Sequence, residues 1–579
     1  MRLSFIIILL LLFGLLFTPL CTFAVEKSKK SYILITKEDI VKLNPGRIED
    51  VLNTIPGVSA SSSFVSIRGD YKVKVLVDGK SINDPTSSHG GVKLDTVTLD
   101  SIESIKVYKG SGGSAFGNDA SGGVIVITTR EKQKTRGFLE TQGGNFGSYH
   151  TYLSCDTRVD CFSFGVAAGF DKTDGCRVNS DKEKKLLKAD AGFDLNKNID
   201  FNIALSRLEI ERGSSGFKVY PTPNARYFYD FEAGLFTVNM FGFKNKLSYI
   251  KANKHNINPD KNLDTELQVQ KIREELTKPI EWNLGGNLLL GAGFENAEAE
   301  STRFSNKKEH TIWGFATLTG EIDLRRPLQI SLGARVENHS DFGSKFSPEL
   351  SIGTQINNLS AAVTLSHTHN NPSFVQRYYQ SSSMQPNPDL TPEYANNISL
   401  AFAWDVNNKI TLGISPFFNR ITDRITYMRE GPIGSYTNLG KVNYKGVDLS
   451  CDIKFCKVLK LKTSYTYLEA KDEKTGLYLP SKPKQRSTAT LVYNPLDQLL
   501  ISFCVKHKSS LYSNKSNTKT IDPYATGDLR MEYKWGFSKL VKSVTLYGEI
   551  KNIWDEEYQY GDGYEASPRT WFTGVKVGF

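Results

Sequence analysis

Residues 102–130 read IESIKVYKGSGGSAFGNDASGGVIVITTR, and this stretch divides the chain into two architectures. Apolar residues at 102, 105 and 107 form a first β-like run, and residues 124–129 form a second. The glycines between the two runs permit tight turns and close backbone approach where a Cβ would clash. The chain before this stretch is short and mixed in pattern, whereas the chain after it alternates with the period of a β-strand.

Length and composition indicate a large β-rich protein of at least two domains. The chain has 579 residues, with 33 Phe, 26 Tyr and 47 Gly, which is typical of a large all-β body. The net charge of +10 comes from lysines and arginines spread along the chain, so a nucleic-acid partner is not expected. The glycine-rich stretch lacks a Gly-Lys-Ser/Thr ending, and it therefore predicts no nucleotide site.

Residues 1–24 are predicted to be a signal peptide that is cleaved near Ala24. The apolar run 3–17 is about 15 residues long, shorter than the roughly 20 residues that a membrane anchor needs. Export would place the remaining cysteines where disulfides can form. Cys155 and Cys161 flank a predicted hairpin turn at 156–160, and either a cross-strand disulfide or two separate thiols fits that spacing.

Residues 25–130 predict a small α+β domain. Thr36 with Asp39 three residues later forms a capping box for a helix over residues 37–43. A second helix is predicted over residues 47–54, before Pro56-Gly57. Short strands are predicted at 32–35, 65–69, 73–77, 102–107 and 124–129.

Residues 131–579 predict a transmembrane antiparallel β-barrel. In residues 447–455 one face carries Val, Leu, Cys, Ile and Phe, and the other carries Asp, Ser, Asp and Lys. Charges on the second face suit a wet lumen, whereas the core of a soluble sandwich would exclude them. A closed barrel leaves no unpaired strand edge in a bilayer, and this length fits about 22 strands.

These features together resemble the TonB-dependent receptors, the plugged outer-membrane transporters of Gram-negative bacteria. The resemblance is carried by residues 35–40 and 48–58 at the start of the plug, 67–69 and 75–79 in its middle, 102–129 at its close, the NPDLTPE segment 387–393, and residues 551–555 with the terminal Phe579. The resemblance implies a barrel whose lumen is filled by the N-terminal α+β domain.

The resemblance also implies a function. The protein is expected to bind a ferric siderophore or cobalamin outside the cell and to import it with energy from the inner-membrane TonB complex with ExbB and ExbD. It is expected to be a monomer in outer-membrane lipid, without enzymatic activity or cofactor. Two alternatives stay open: a haem receptor that uses His89 with a barrel histidine, His367 or His369, and a receptor for sensing or docking without energised transport. The second alternative remains because of the short N-terminal segment. The family's coupling box normally lies some tens of residues before the first helix of the plug, whereas here only residues 25–31 precede the first predicted strand.

Candidate site residues follow from the same comparison. Ligand contacts are expected from the apical plug loop and from an aromatic pair in the barrel: Asn83, Asp84, Ser88, His89, Tyr378 and Tyr379. A plug–barrel latch is expected from Arg68 and Lys109 with Glu393. The family usually has Arg-Gly-Pro where this chain has Lys109-Gly110-Ser111, and lysine lacks the bidentate fork of arginine. Asp171, Asp174 and Asp181 are candidate calcium ligands, with a solvated turn as the alternative.

Overall fold

The structure is a computed structural model that describes residues 32–110, 112–130, 135–282, 286–323, 326–430, 433–537 and 540–579. The predicted signal peptide 1–24, the segment 25–31 and Ser111 lie outside the described residues.

The N-terminal domain is a small mixed sheet with short helices. Its strands are β1 (Ile33–Thr36), β2 (Val58–Ala60), β3 (Val65–Ile67), β4 (Val73–Val77), β5 (Lys80–Ser81), β6 (Ile102–Lys109) and β7 (Gly123–Thr129), and its helices are α1 (Lys37–Leu43), α2 (Ile48–Leu52) and α3 (Gly113–Phe116), with 3-10 turns at Leu94–Thr96 and Leu99–Ser101. The main sheet has the order β1-β6-β7-β4-β5, and β2 pairs with β3. Its core is aliphatic and includes Val51, Leu52 and Ile105, which are fully buried. We call this domain the plug.

The two long plug helices follow the capping pattern of the sequence. Helix α1 begins after Thr36, whose hydroxyl accepts a hydrogen bond from the Asp39 amide, so the capping box is present. Helix α2 is shorter than the predicted 47–54. Arg47 has extended backbone and serves as the N-cap, and the Asn53 side chain bonds both backbone groups of Ala60. Those bonds tie Asn53, the residue that follows the helix, to the end of strand β2, and the helix ends at Leu52.

The remaining described chain forms an antiparallel barrel. Its strands and loop elements are β8 (Arg136–Gly144), β9 (Tyr149–Val159), β10 (Phe162–Thr173), β11 (Lys182–Asn196), β12 (Ile199–Gly213), β13 (Gly216–Phe217), β14 (Tyr220–Pro221), β15 (Arg226–Met240), β16 (Phe243–Asn258), β17 (Leu263–Trp282), β18 (Gly286–Ser301), β19 (Phe304–Asp323), β20 (Pro327–His339), β21 (Gly343–Ile356), β22 (Leu359–Asn370), α4 (Phe374–Tyr378), β23 (Glu393–Asp405), β24 (Ile410–Glu430), β25 (Ile433–Lys454), β26 (Leu459–Asp472), β27 (Gln485–Leu496), β28 (Leu499–Lys508), β29 (Leu511–Tyr512), β30 (Thr520–Ile521), β31 (Tyr524–Gly536), β32 (Ser543–Lys551), β33 (Gln559–Gly561), β34 (Tyr564–Glu565) and β35 (Thr570–Gly578), with a 3-10 turn at Pro259–Lys261.

Closure of the barrel confirms the predicted fold. Strand β35 pairs with β8, and 22 strands of the described chain form one closed ring. The pairs β13–β14, β29–β30 and β33–β34 are small hairpins within loops. Alternate side chains point outward, as at Phe164 and Val166, which are 49% and 58% exposed. This apolar outer surface suits hydrocarbon contact. No helix within the described ranges is long and apolar enough to cross a membrane.

The predicted hairpin near residue 160 is present, but its turn is shorter than expected. Strand β9 continues to Val159, so residues 156–159 are strand and Asp160 has a left-handed φ of 50°. The cross-strand partner of Cys155 is Val166, and Cys161 lies in the turn. The described cysteines, Cys155 and Cys161 among them, are free thiols.

The two ends of the barrel differ in the length of their connections. One end has turns such as 160–161, 197–198 and 497–498, and we call it the short-turn end. The other end carries the segments 371–392, 473–484, 509–523 and 552–569, and we call it the long-loop end. In bacterial outer-membrane barrels the longer connections are extracellular.

Candidate functional site

The plug lies closer to one side of the barrel than to the other. The glycine-rich stretch docks on strands β21 to β23: the Gly112 amide donates to Oε2 of Glu349 (2.7 Å), and the Ser366 hydroxyl donates to the Gly110 carbonyl (2.6 Å). Gly110 has a φ of +68°, and a Cβ there would lie 2.9 Å from the side-chain oxygen of Asn397. The glycines therefore serve close packing of backbone against the wall.

A cavity of about 1920 Å³ separates the plug from the other part of the wall. It is bordered by β23, β24, β26 to β28, β31, β32, β35 and β8 to β11, while the described residues of strands β12 to β22 contribute nothing to its lining. Tyr558 and Tyr560 line it at the long-loop end, and Asp497 and Gln498 line it at the short-turn end. The cavity therefore runs along one side of the lumen from one end of the barrel toward the other.

Tyrosines and cations form one side of this cavity at the long-loop end. We call this set the tyrosine–lysine wall; its members are Tyr71, Lys482, Arg486, Lys508, Tyr524, Tyr558 and Tyr560. The rings of Tyr524 and Tyr558 stack with centroids 4.0 Å apart, and Tyr560 meets Tyr558 edge-on at 5.3 Å. The Lys508 ammonium lies 5.7 Å from the Tyr524 ring. The wall thus presents positive charge beside flat aromatic faces.

Lys482 is the member of the wall that reaches the plug. It lies in the connection 473–484, and its ammonium donates to the Gly69 carbonyl and lies 3.7 Å from the Tyr71 ring centroid. Burial lowers the pKa of Lys482 to about 7, and the nearby Arg424 acts in the same direction. Its ammonium is therefore poorly compensated by the protein.

Two of the predicted apical residues lie at the cavity. Ser88 and His89 line it, and the Tyr436 hydroxyl lies 3.4 Å from both Ser88 Oγ and His89 Nε2. Gln376 of helix α4 donates to the Ser88 carbonyl at 3.1 Å. This loop of the plug is therefore held between strand β25 and a long-loop segment of the barrel.

The other predicted ligand residues occupy different places. The Asn83 side chain bonds the backbone of Val73 and Val75, and the Asp84 carboxylate lies 3.2 Å from Nζ of Lys93. Burial alone would raise the pKa of Asp84, but Lys93 and Thr86 hold the pKa below its usual value. Both side chains stabilise the plug loop, and neither lines the cavity.

The aromatic pair also lies away from the cavity lining. Tyr378 packs near Phe304, with ring centroids 6.2 Å apart, and Lys307 lies 4.8 Å from its ring. Tyr379 is the C-cap of helix α4, and its amide donates to the Val375 carbonyl at 3.3 Å. The structure therefore does not bring this pair together with Ser88 and His89.

The predicted latch cations are paired, but with a different acid. Nε of Arg68 lies 3.0 Å and Nζ of Lys109 lies 2.9 Å from the same oxygen, Oδ2 of Asp448. Two hydroxyls at 3.0 Å, Ser399 and Ser415, accept the remaining Arg68 donors. We call this group the Asp448 anchor.

Glu393 does not take part in the Asp448 anchor, which corrects the expectation from sequence. Its two carboxylate oxygens accept hydrogen bonds from the Asn370 side chain (3.0 Å) and from the Ile425 amide (2.7 Å). Glu393 therefore organises the start of strand β23, and no plug cation lies within ion-pair distance of it among the described residues.

A second charged contact between plug and barrel has the opposite polarity, and the sequence did not reveal it. Asp50 of helix α2 lies 3.4 Å from Lys506 and 3.3 Å from Lys551, on strands β28 and β32. Lys506 also pairs with Asp528, and Lys551 with Glu549. We call this group the Asp50 anchor. Nothing in the local sequence around Asp50 identifies its partners, because they lie more than 450 residues away.

Two of the three predicted calcium ligands are already paired with basic side chains. Asp171 lies 2.8 Å from Nδ1 of His150 and 2.7 Å from Nζ of Lys184, and Asp181 pairs with Arg226 at 2.8 Å. Asp174 follows strand β10, and its amide donates to the Phe146 carbonyl. Over the described part of the chain, no group of three or more potential ligands could hold a metal ion. The structure thus places these residues in ion pairs and a turn.

The histidines of the haem alternative each have a different partner. His367 Nδ1 lies 2.9 Å from Oδ1 of Asn396, while His369 is buried, with Ser347 and Glu337 each 3.4 Å from its ring nitrogens. His89 is paired with Tyr436, as described above. Of these three histidines, His89 lines the cavity, and His367 and His369 do not.

Comparison with known proteins agrees with this architecture. The family model "TonB-dependent Receptor Plug Domain" matches residues 24–124, and "TonB dependent receptor-like, beta-barrel" matches residues 129–553. The vitamin B12 transporter BtuB of Photobacterium profundum is 22% identical over 578 residues, which cover 94% of this chain and 92% of that protein. An iron-regulated outer membrane virulence protein of Vibrio cholerae serotype O1 is 22% identical and covers 96% and 93%. A solved structure of the ferric enterobactin receptor PfeA from Pseudomonas aeruginosa, in a mutant form, has a TM-score of 0.80 at 17% identity, with 96% of this chain and 100% of that chain covered.

Proposed function

Because the chain belongs to the TonB-dependent receptor family of outer-membrane proteins, we propose that it imports an anionic ferric siderophore into the periplasm with energy from the TonB complex. The observation that carries the choice of ligand is the tyrosine–lysine wall. Ferric chelates built from catecholate or carboxylate arms carry net negative charge, which the ammonium and guanidinium groups of the wall would attract. Flat aromatic arms would pack on the tyrosine rings. The family consists of receptors and transporters, and no enzymatic step is assigned to this chain.

Cobalamin is the second candidate, because the relative from Photobacterium profundum is a vitamin B12 transporter. A corrinoid does not require a cluster of positive charges in its binding site, so the two ligands should differ in how their affinity depends on salt. Binding of an anionic chelate should weaken as salt is raised, since salt screens the wall. Binding of cyanocobalamin should depend little on salt.

The test is a titration of the purified protein with ferric enterobactin, a ferric hydroxamate, cyanocobalamin and haemin. We expect the ferric catecholate to bind most tightly and its affinity to fall about tenfold in the double variant Arg486→Gln/Lys508→Gln, a loss of about 1.4 kcal/mol. Lys307→Gln is the matched control, because Lys307 is a cation at the long-loop end that does not line the cavity. Tighter binding of cyanocobalamin, unaffected by the double variant, would contradict the siderophore assignment.

Coupling to TonB is a separate part of the proposal. The plug occupies the lumen and is tied to the barrel wall by charged contacts that include the buried Asp448 anchor and the half-buried Asp50 anchor, and such a plug needs outside work to move. We place the coupling segment at residues 25–31 or within 31–36. Deletion of residues 25–31 should leave ligand binding intact and abolish uptake into cells. Unchanged uptake would favour either coupling through residues 31–36 or a receptor that does not transport.

The mature protein is proposed to begin at Val25, with the plug at residues 25–130 and the barrel at residues 131–579. Sequencing of the N-terminus of the protein extracted from outer membranes tests the cleavage site. A chain that begins at Met1 would contradict it.

A further inference from the structure

Lys482 contacts the ligand cavity and the plug at the same time. Its connection, residues 473–484, leads from the long-loop end into strand β27, and its side chain lines the cavity. On the plug side, its ammonium donates to the Gly69 carbonyl and lies over the Tyr71 ring. One flexible side chain therefore contacts both the place where a ligand would bind and the plug that must move during transport.

The plug backbone at this contact is a constrained turn. Ile67 and Asp70 exchange backbone hydrogen bonds of 3.0 Å, and both Arg68 and Gly69 have left-handed φ values, 52° and 82°. A Cβ at Gly69 would lie 2.7 Å from Cδ2 of Leu468. A displacement of the Gly69 carbonyl therefore cannot be absorbed locally and is passed to the adjacent Arg68, which belongs to the Asp448 anchor.

The protein offers Lys482 only neutral acceptors. Within the described ranges no carboxylate lies within ion-pair distance of its ammonium, and the nearest acid by charge, Asp70, accepts hydrogen bonds from the Ser121 hydroxyl (2.6 Å) and the Lys72 amide (3.0 Å). The Gly69 carbonyl carries no net charge, whereas an anionic oxygen would add the attraction of opposite charges to the hydrogen bond from the ammonium. An anionic group in the cavity would therefore compete successfully with the Gly69 carbonyl for this ammonium.

We propose that Lys482 is the positioning residue through which an anionic ligand in the cavity loosens the plug turn at residues 67–70. When the ligand takes the ammonium, the Gly69 carbonyl loses its donor and the Tyr71 ring loses its cation. The turn, which contains Arg68, then becomes more mobile. The contact of the plug with the barrel at the Asp448 anchor is therefore weakened while the ligand is still bound. This inference rests on the proposed anionic ligand.

Hydrogen–deuterium exchange of the full-length protein tests this role. In the wild type, saturating ferric enterobactin should speed exchange of the amides of residues 66–71 by about fivefold, because the turn opens more often. Lys482→Met should bind the same ligand more weakly, through Arg486 and Lys508, and at a concentration raised to saturate this variant, exchange in the segment should not respond. Lys482→Arg keeps the charge and should retain the response.

The control for local perturbation is Lys484→Met. Lys484 lies two residues away, with its ammonium 3.9 Å from the Tyr478 ring, and it makes no contact with the Gly69 carbonyl. This variant should behave like the wild type, and unchanged exchange in the barrel strands will show that each variant is folded. Wild-type protein that binds no ferric chelate contradicts the proposed function. Binding without a change at residues 66–71, or an equal change in Lys482→Met, overturns the role of Lys482.

Discussion

Nε of Arg68, in the plug, lies 3.0 Å from Oδ2 of Asp448, in barrel strand β25. Both side chains are almost fully buried, at 9% and 2% exposure. The same oxygen lies 2.9 Å from Lys109, and the other oxygen accepts the Thr466 hydroxyl. A single carboxylate therefore compensates two buried plug cations, and without it neither would have an acid in ion-pair range within the part of the chain that the structure describes.

Asp448→Asn is expected to weaken the seating of the plug by about 3–5 kcal/mol, because removing one partner of a buried ion pair leaves uncompensated charge. Scanning calorimetry of the purified variant should show the plug transition at a lower temperature. Asp452→Asn is the control, since Asp452 lies four residues further along β25, is exposed, and has no cation in ion-pair range among the described residues. Equal transition temperatures for both variants would contradict this account of the Asp448 anchor.

Gly57→Ala tests the same contact from the backbone. Gly57 has a φ of +82°, and a Cβ there would lie 2.7 Å from Oδ1 of Asp448. Its amide also donates to the Thr466 hydroxyl at 2.6 Å. We expect a loss of about 1–2 kcal/mol from the left-handed backbone alone, with a further loss from displacement of Asp448. Gly143→Ala, where a Cβ meets nothing within 4 Å, should leave the calorimetric transition unchanged.

The barrel could be predicted from the sequence because the alternation of apolar and polar residues is local and is repeated along the chain. This period of two can be recognised without knowing which strands pair with each other. It predicted helix α1 with its correct bounds, since Thr36 and Asp39 form a cap within one turn. The plug cations Arg68 and Lys109 were also predicted, through the family resemblance. The acid that pairs with them was not predicted. Asp448 and Asp452 lie on the same face of β25, and only the position of the plug in the lumen determines that Asp448 is the partner.

The ligand cavity escaped prediction for a related reason. The tyrosine–lysine wall joins Tyr71 of the plug to Tyr558 near the chain end, and neither position carries a local signal. The predicted Asn83 and Asp84 do lie in the apical loop, but their short side chains bond the loop's own backbone and Lys93. Sequence therefore located the loop and could not tell which of its side chains face the cavity.

Lys482 is expected to titrate near pH 7, because burial lowers its pKa by disfavouring the charged form. Competitive labelling with an amine-reactive reagent, read by mass spectrometry, should show its reactivity rising through pH 7, well below the ordinary lysine value of 10.5. The folded pKa is depressed, so the unfolded chain binds more protons between these values. This group therefore makes the folded state more stable as pH rises from about 7 to about 10.5. Lys482→Arg should remove that part of the pH dependence, and labelling only above pH 9 would contradict the prediction.

Haem binding through His89 is not expected. His369 is 2% exposed and its ring is held by Glu337 and Ser347, so it cannot reach a ligand in the cavity without leaving a buried carboxylate behind. Addition of haemin should leave the Soret band where it is in the absence of protein. A shift that appears with the wild type and disappears in His89→Ala would instead establish a haem receptor.

The Asp50 anchor should be weaker than the Asp448 anchor, because its cations keep other acids. In Asp50→Asn, Lys506 retains Asp528 at 2.8 Å and Lys551 retains Glu549 at 3.3 Å, so each of these partly exposed cations keeps an acid. We expect a loss of about 1 kcal/mol, the value of a partly exposed ion pair, against about 3–5 kcal/mol for Asp448→Asn. The two anchors share no side chain, and their effects on the calorimetric plug transition should add in the double variant. A larger shift for Asp50→Asn than for Asp448→Asn would show that the plug is held mainly through helix α2, and that its release starts at strands β28 and β32.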